Sequence, residues 1–143
     1  MPSRRVGLIV NPIAGMGGRV GLKGTDGAAI LDEARKRGAT AVAALRAARA
    51  LGRLLSPQAE IELITCPGAM GGDVAAALGL DATEIAGARS LETGPDDTKS
   101  AAAEMMRRGV DLLLFAGGDG TAHDIHGVVG TAIPILGIPT GVK

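Results

Sequence analysis

Short apolar runs, each cut off by glycine or proline and most followed by a stretch of helical spacing, constrain this chain more than any other feature. Val6-Gly7-Leu8-Ile9-Val10 stops at Asn11-Pro12, and Asp111-Leu112-Leu113-Leu114-Phe115-Ala116 breaks at Gly117-Gly118. Residues 60–65 alternate polar and apolar side chains before Cys66-Pro67-Gly68, and residues 132–138 form a last run. Apolar runs this short, bounded by turn residues, read as strands. The first is apolar toward both faces, which predicts a central, parallel position. The alternating run belongs nearer the sheet edge, and residues 83–90 are weakly strand-like.

Between these runs lie helical stretches. Thr25-Asp26 can cap a helix over residues 28–37, with Gly38 as its stop. Residues 42–55 predict a second, whose apolar face is Ala44, Ala48, Leu51 and Leu55 and whose Arg46, Arg49 and Arg53 line a solvated face. Asp73 opens a short helix over residues 74–78. Pro95-Asp96-Asp97-Thr98 starts another over residues 99–108, with Thr98 as the cap and Gly109 as the stop. Residues 121–129 complete the set. Alternating strands and helices predict an α/β fold, a Rossmann-like parallel sheet with helices on both faces, built as one domain over residues 1–143. Ligands of such sheets sit at the carboxyl ends of the strands.

Composition narrows the function. Lys+Arg and Asp+Glu are equal at 15 each and Phe115 is the sole aromatic ring. With neither a field of one sign nor a stacking platform, a nucleic acid partner is excluded from the expectation. No run approaches the ~20 apolar residues of a membrane helix, so no membrane partner is expected. Cys66 is the only cysteine, which rules out an internal disulfide, fits a reducing cytoplasmic location, and reads as a small strand-end residue. Glycine is abundant, at 23 of 143 residues, so parts of the chain need tight turns or close backbone approach.

The densest of those parts is Gly117-Gly118-Asp119-Gly120-Thr121, between a strand and a helix. Its glycines let main-chain N–H groups reach phosphate oxygens, the helix start adds a positive dipole end, and the carboxylate can orient a metal ion or accept a proton. The same five residues also read as a tight turn with Asp119 as a cap, and spacing alone leaves both readings open. Residues 13–27 are too rich in glycine for a regular helix, and the glycines of the first loop, Asn11 to Gly18, could wrap a phosphate. It is no Walker A loop, since no Gly-Lys-Ser/Thr follows; Lys23 is either a point charge for phosphate or a solvated lysine. His123 and His126 share a helix face near Asp124, too few ligands for a metal site.

Gly117-Gly118-Asp119-Gly120-Thr121 resembles the signature loop of NAD kinases, diacylglycerol and sphingosine kinases and, in variant form, phosphofructokinases. Asn11-Pro12-Ile13-Ala14-Gly15-Met16-Gly17-Gly18, Leu22-Lys23-Gly24-Thr25-Asp26-Gly27 and Gly137-Ile138-Pro139-Thr140-Gly141-Val142-Lys143 narrow the resemblance to the ATP-NAD kinase-like branch. The resemblance spans the chain and implies the N-terminal domain of an NAD kinase, with phosphoryl transfer from ATP or polyphosphate to the 2′-hydroxyl of NAD. It implies magnesium, Asp119 as the catalytic base, and a nucleotide site of Asn11, Gly15, Gly17, Gly18, Lys23, Gly117, Gly118, Gly120 and Thr121. Small-molecule nucleotides are the implied partners, in a homo-oligomer. His123 stands where that branch commonly has arginine, so a phosphate contact there would carry a pH-dependent charge.

In the resembling kinases a β-rich domain follows and carries much of the NAD surface, so the expectation is a fragment that is inactive alone. Two other readings stay in play: a kinase of the same fold acting on a lipid or small-metabolite hydroxyl, and a nucleotide-binding module without catalysis.

Overall fold

A computed structural model describes residues 4–12, 42–55, 60–85 and 94–140. In chain order these form β1 (Arg4–Val10), α1 (Val42–Leu54), β2 (Ile61–Thr65), a 3-10 turn (Gly68–Met70), α2 (Gly72–Ala77), β3 (Ala82–Glu84), α3 (Pro95–Arg107), β4 (Leu112–Ala116), α4 (Asp119–Val129) and β5 (Ile135–Ile138). The five strands make one sheet in the order β3-β2-β1-β4-β5, every pair parallel. This is the α/β, Rossmann-like arrangement that the alternation predicts, with β1 at the centre.

The pleat divides the core into two. Val6, Leu8 and Val10 join Leu63, Leu114, Ala116 and Ile138 on one face, under Ala43, Ala47 and Leu51 of α1 and Val74 and Ala75 of α2. Ile9, Leu113 and Phe115 face the other way, into Ala101, Ala102 and Met105 of α3 and Ile125 and Val129 of α4. Each large side chain fully removed from water contributes about 1.5–3 kcal/mol, so both faces are needed, and helices cover both. Among the described residues no helix is long and apolar enough to cross a membrane.

Several elements depart from the sequence expectations. The buried face of α1 is Ala43, Ala47 and Leu51, with Ala44, Ala48 and Leu55 only partly buried. The helix is turned by about one residue because small alanines pack against a sheet in either orientation. Arg46, Arg49 and Arg53 face solvent, as read. Helix α3 starts at Pro95, earlier than expected, and Thr98 is not its cap. The Asp97 carboxylate accepts the Gly94 N–H at 2.8 Å, and Thr98 lies buried within the helix. Proline at the first helical position, needing no N–H partner, sets the boundary there. Helix α4 likewise starts two residues early, at Asp119. Strand β3 is only Ala82–Glu84, and β5 begins at Ile135 rather than at residue 132. The helix expected over residues 28–37 lies outside the described residues.

The amino end of the sheet is tied together. The Arg5 N–H donates to Asp111 Oδ2 at 2.8 Å, and the Asp111 N–H donates back to the Arg5 carbonyl at 2.7 Å. The Arg5 guanidinium reaches Glu62 at 3.3 Å and the Arg108 carbonyl at 2.7 Å. One residue thereby joins β1, β2, the entry to β4 and the exit of α3.

Candidate nucleotide site at the carboxyl edge

Because every strand runs the same way, Asn11, Cys66, Ile85, Gly117 and Pro139 all emerge at one edge of the sheet. The chain moves outward from β1 through β2 to β3 in one direction and from β4 to β5 in the other. The order changes direction between β1 and β4, the switch point where open parallel sheets bind ligands. Asn11 stands on one side of it and residues 117–121 on the other. The sequence pointed to this edge without identifying the switch point, since strand order is not written in local pattern.

The two sides are joined. The Asn11 N–H donates to the Ala116 carbonyl at 2.9 Å, extending the β1–β4 ladder by one bond, and the Asn11 amide Nδ2 donates to Thr121 Oγ1 at 3.1 Å. Thr121 is in the first turn of α4 and is 5% exposed. Gly117 turns the chain between them. A Cβ there would fall 2.5 Å from Thr121 Oγ1, 2.6 Å from its Cβ and 2.9 Å from its Cγ2. All three atoms belong to a buried, β-branched side chain with little room to yield, so the corner demands glycine for space. Gly118 caps α4 in an extended conformation, its carbonyl accepting the Ala122 N–H at 3.1 Å.

This geometry leaves Asp119 exposed on the rim as the first residue of α4, beside half-buried Gly118 and Gly120. The opening N–H groups of a helix have no partners within it, and its dipole is positive at that end. The corner thus sets the main-chain donors of a helix start beside an exposed carboxylate. Asp119 is not the cap considered in the turn reading; Gly118 holds that position. His123 and His126 are exposed farther along α4, and among the described residues no three His, Cys, Asp or Glu side chains gather to hold a metal ion. Gly15, Gly17, Gly18 and Lys23 lie outside the described residues.

Two further features of the edge went unread in the sequence. Thr140, just past β5, and Thr65, at the end of β2, are buried, and the hydroxyl of each has no hydrogen-bond partner among the described residues. Next to Thr65, burial pushes the Cys66 thiol up to about 12, and the Asp97 charge adds to the shift. A thiol held neutral is no nucleophile, in line with the structural reading of Cys66.

A family model, the ATP-NAD kinase N-terminal domain, matches residues 6–143. A local stretch of 48 residues is 40% identical to a 3-methyl-2-oxobutanoate hydroxymethyltransferase from Pyrobaculum islandicum, covering 34% of this chain and 18% of that protein's length. So short a stretch of the second protein carries no argument about the site.

Proposed function

We propose, from the premise that this chain belongs to the ATP-NAD kinase N-terminal domain family, that it forms the nucleotide-binding part of a kinase that phosphorylates the 2′-hydroxyl of NAD to give NADP, with ATP or polyphosphate as donor. The observation that carries the reading is the joining of Asn11 to Thr121 at the switch point, beside an exposed carboxylate and the N–H groups of a helix start.

Phosphoryl transfer needs positioning and charge stabilisation more than covalent help. The main chain from Gly117 to Gly120 holds phosphate oxygens on one side of the switch point. The loop that leaves β1 at Asn11 and continues through Gly15, Gly17, Gly18 and Lys23 holds them on the other. The ribose hydroxyl oxygen attacks the terminal phosphorus, the bond to the leaving phosphate oxygen breaks, and Asp119 accepts the hydroxyl proton. Magnesium would be held chiefly by the substrate phosphates and water, as is usual for this ion, which leaves Asp119 to the proton. When bound it neutralises charge on the transferring group.

The test is an assay of the natural full-length protein with NAD, magnesium and either ATP or polyphosphate. NADP should form, and Asp119→Asn should lower the rate by about 100-fold or more, the usual scale for a lost general base. Phosphorylation of a lipid or small-metabolite hydroxyl with NAD untouched would replace the acceptor. Thermal stabilisation by nucleotide with no turnover of any hydroxyl would replace the enzyme with a binding module.

A further inference from the structure

Asn11 and Thr121 were both expected to touch phosphate, yet their side chains are turned toward each other. The Thr121 hydroxyl accepts the Asn11 amide at 3.1 Å and is closed in by the Gly117 backbone, with 5% of the residue exposed. The Asn11 main chain is fixed in turn to Ala116, the last residue of β4. A short closed circuit results: Ala116 to Asn11 through the main chain, Asn11 to Thr121 through the side chains, and Thr121 back against Gly117. The three residues enclosed by this circuit are Gly118, Asp119 and Gly120, of which Asp119 is exposed and the glycines half-buried.

We infer that Asn11 and Thr121 are positioning residues, a clamp that fixes the Gly118 to Gly120 main chain and the Asp119 carboxylate relative to the end of β1, and that their side chains do not bind the phosphates. The inference rests on the kinase reading above for its catalytic consequence, while the clamp itself stands on geometry. Rate in a positioned reaction falls steeply with small displacements; a shift of about 1 Å can cost ~100-fold. Removing either partner releases the same constraint, so the two losses overlap instead of multiplying. A side chain that contacted substrate would behave differently, raising KM on its own account.

The experiment is a double-mutant cycle in the natural full-length protein, using Asn11→Ala, Thr121→Val and the pair, with Thr121→Ser as the conservative variant. Two readouts are taken: steady-state NAD phosphorylation with ATP and magnesium, and amide hydrogen exchange over residues 117–122. Each single variant should lower kcat by about 10- to 100-fold while KM for ATP and NAD stays within about threefold. Exchange over the loop should rise, the pair should be no worse than the poorer single variant, and Thr121→Ser should recover most of both losses. Losses that multiply, or a raised KM with kcat kept, would overturn the clamp in favour of direct substrate contact. Unchanged loop exchange in both single variants would overturn it whatever the activity, and a lowered melting temperature with kcat intact would reduce it to a fold-stabilising bond. If the unsubstituted protein leaves NAD unphosphorylated while exchange responds as expected, the acceptor assignment fails and the clamp stands, so the two failures are distinguishable.

Discussion

The corner after β4 and the corner after β2 are made from the same parts, and only one has the form of a site. Both run from the carboxyl end of a parallel strand into a helix, both contain paired glycines, and both place an exposed aspartate in the first helical turn and a buried threonine nearby. After β4, Thr121 is satisfied by Asn11 of the neighbouring loop and the helix runs for 11 residues. After β2, Thr65 has no partner among the described residues. The chain folds back through a 3-10 turn onto the sheet end, Gly71 lying 3.3 Å from the Leu8 carbonyl by its would-be Cβ, and the helix lasts 6 residues. The difference comes from place: β4 adjoins β1 at the switch point, whereas β2 lies to one side of it. Glycine content alone does not designate a phosphate loop.

The contrast can be broken most directly at the two acids. Asp119→Asn should cost about 100-fold or more in turnover, whereas Asp73→Asn, at the matching helix start, should leave turnover within about twofold; equal losses in a steady-state assay would erase the distinction. Next come the glycines. Gly117→Ala should lower turnover by about 100-fold through displacement of the Thr121 side chain, together with an overpacking cost of about 1–3 kcal/mol. Gly71→Ala, at φ +152°, should cost a similar ~1–3 kcal/mol in denaturant unfolding with the activity of the folded fraction unchanged.

The threonines should move in opposite directions. Thr121→Val loses a hydrogen bond and should destabilise by about 1 kcal/mol. Thr65→Val removes a buried hydroxyl that no described residue satisfies and should stabilise by about 1 kcal/mol, or roughly 3 °C in melting temperature for a chain of this size. A destabilising Thr65→Val would mean that its hydroxyl has a partner when the protein is folded in solution. The smallest effect concerns Cys66. Its thiol is raised from 9.0 to about 12 in the folded state, so the native form holds this proton more tightly than the unfolded chain. Its contribution is complete below pH 9 and is lost as pH rises toward about 12. Alkaline unfolding of Cys66→Ala should show less of that decline, and iodoacetamide at pH 8 should label native Cys66 far more slowly than the unfolded chain.

Strands β1 and β4 were legible because residues buried on both faces leave unmistakable apolar runs, and the turn at Gly117 was legible because paired glycines end such a run. The rotation of α1 was not, since its alanines offer no large side chain that must point inward. The cap of α3 was misplaced by giving Thr98 a role that Asp97 performs from inside the first turn. At this corner the strand-to-helix turn through Gly117 and Gly118 could be placed from sequence, but the bond between Asn11 and Thr121 could not. It joins residues 110 positions apart through a strand order that no local pattern encodes.

The Arg5 network at the far end of the sheet governs how this edge can move. Sliding β1 along β4 would sever the reciprocal bonds between Arg5 and Asp111 and exchange the inward and outward side chains of a two-faced core. The two central strands are therefore pinned in register at both ends, by Arg5 and Asp111 at one and by Asn11 with Ala116 and Thr121 at the other.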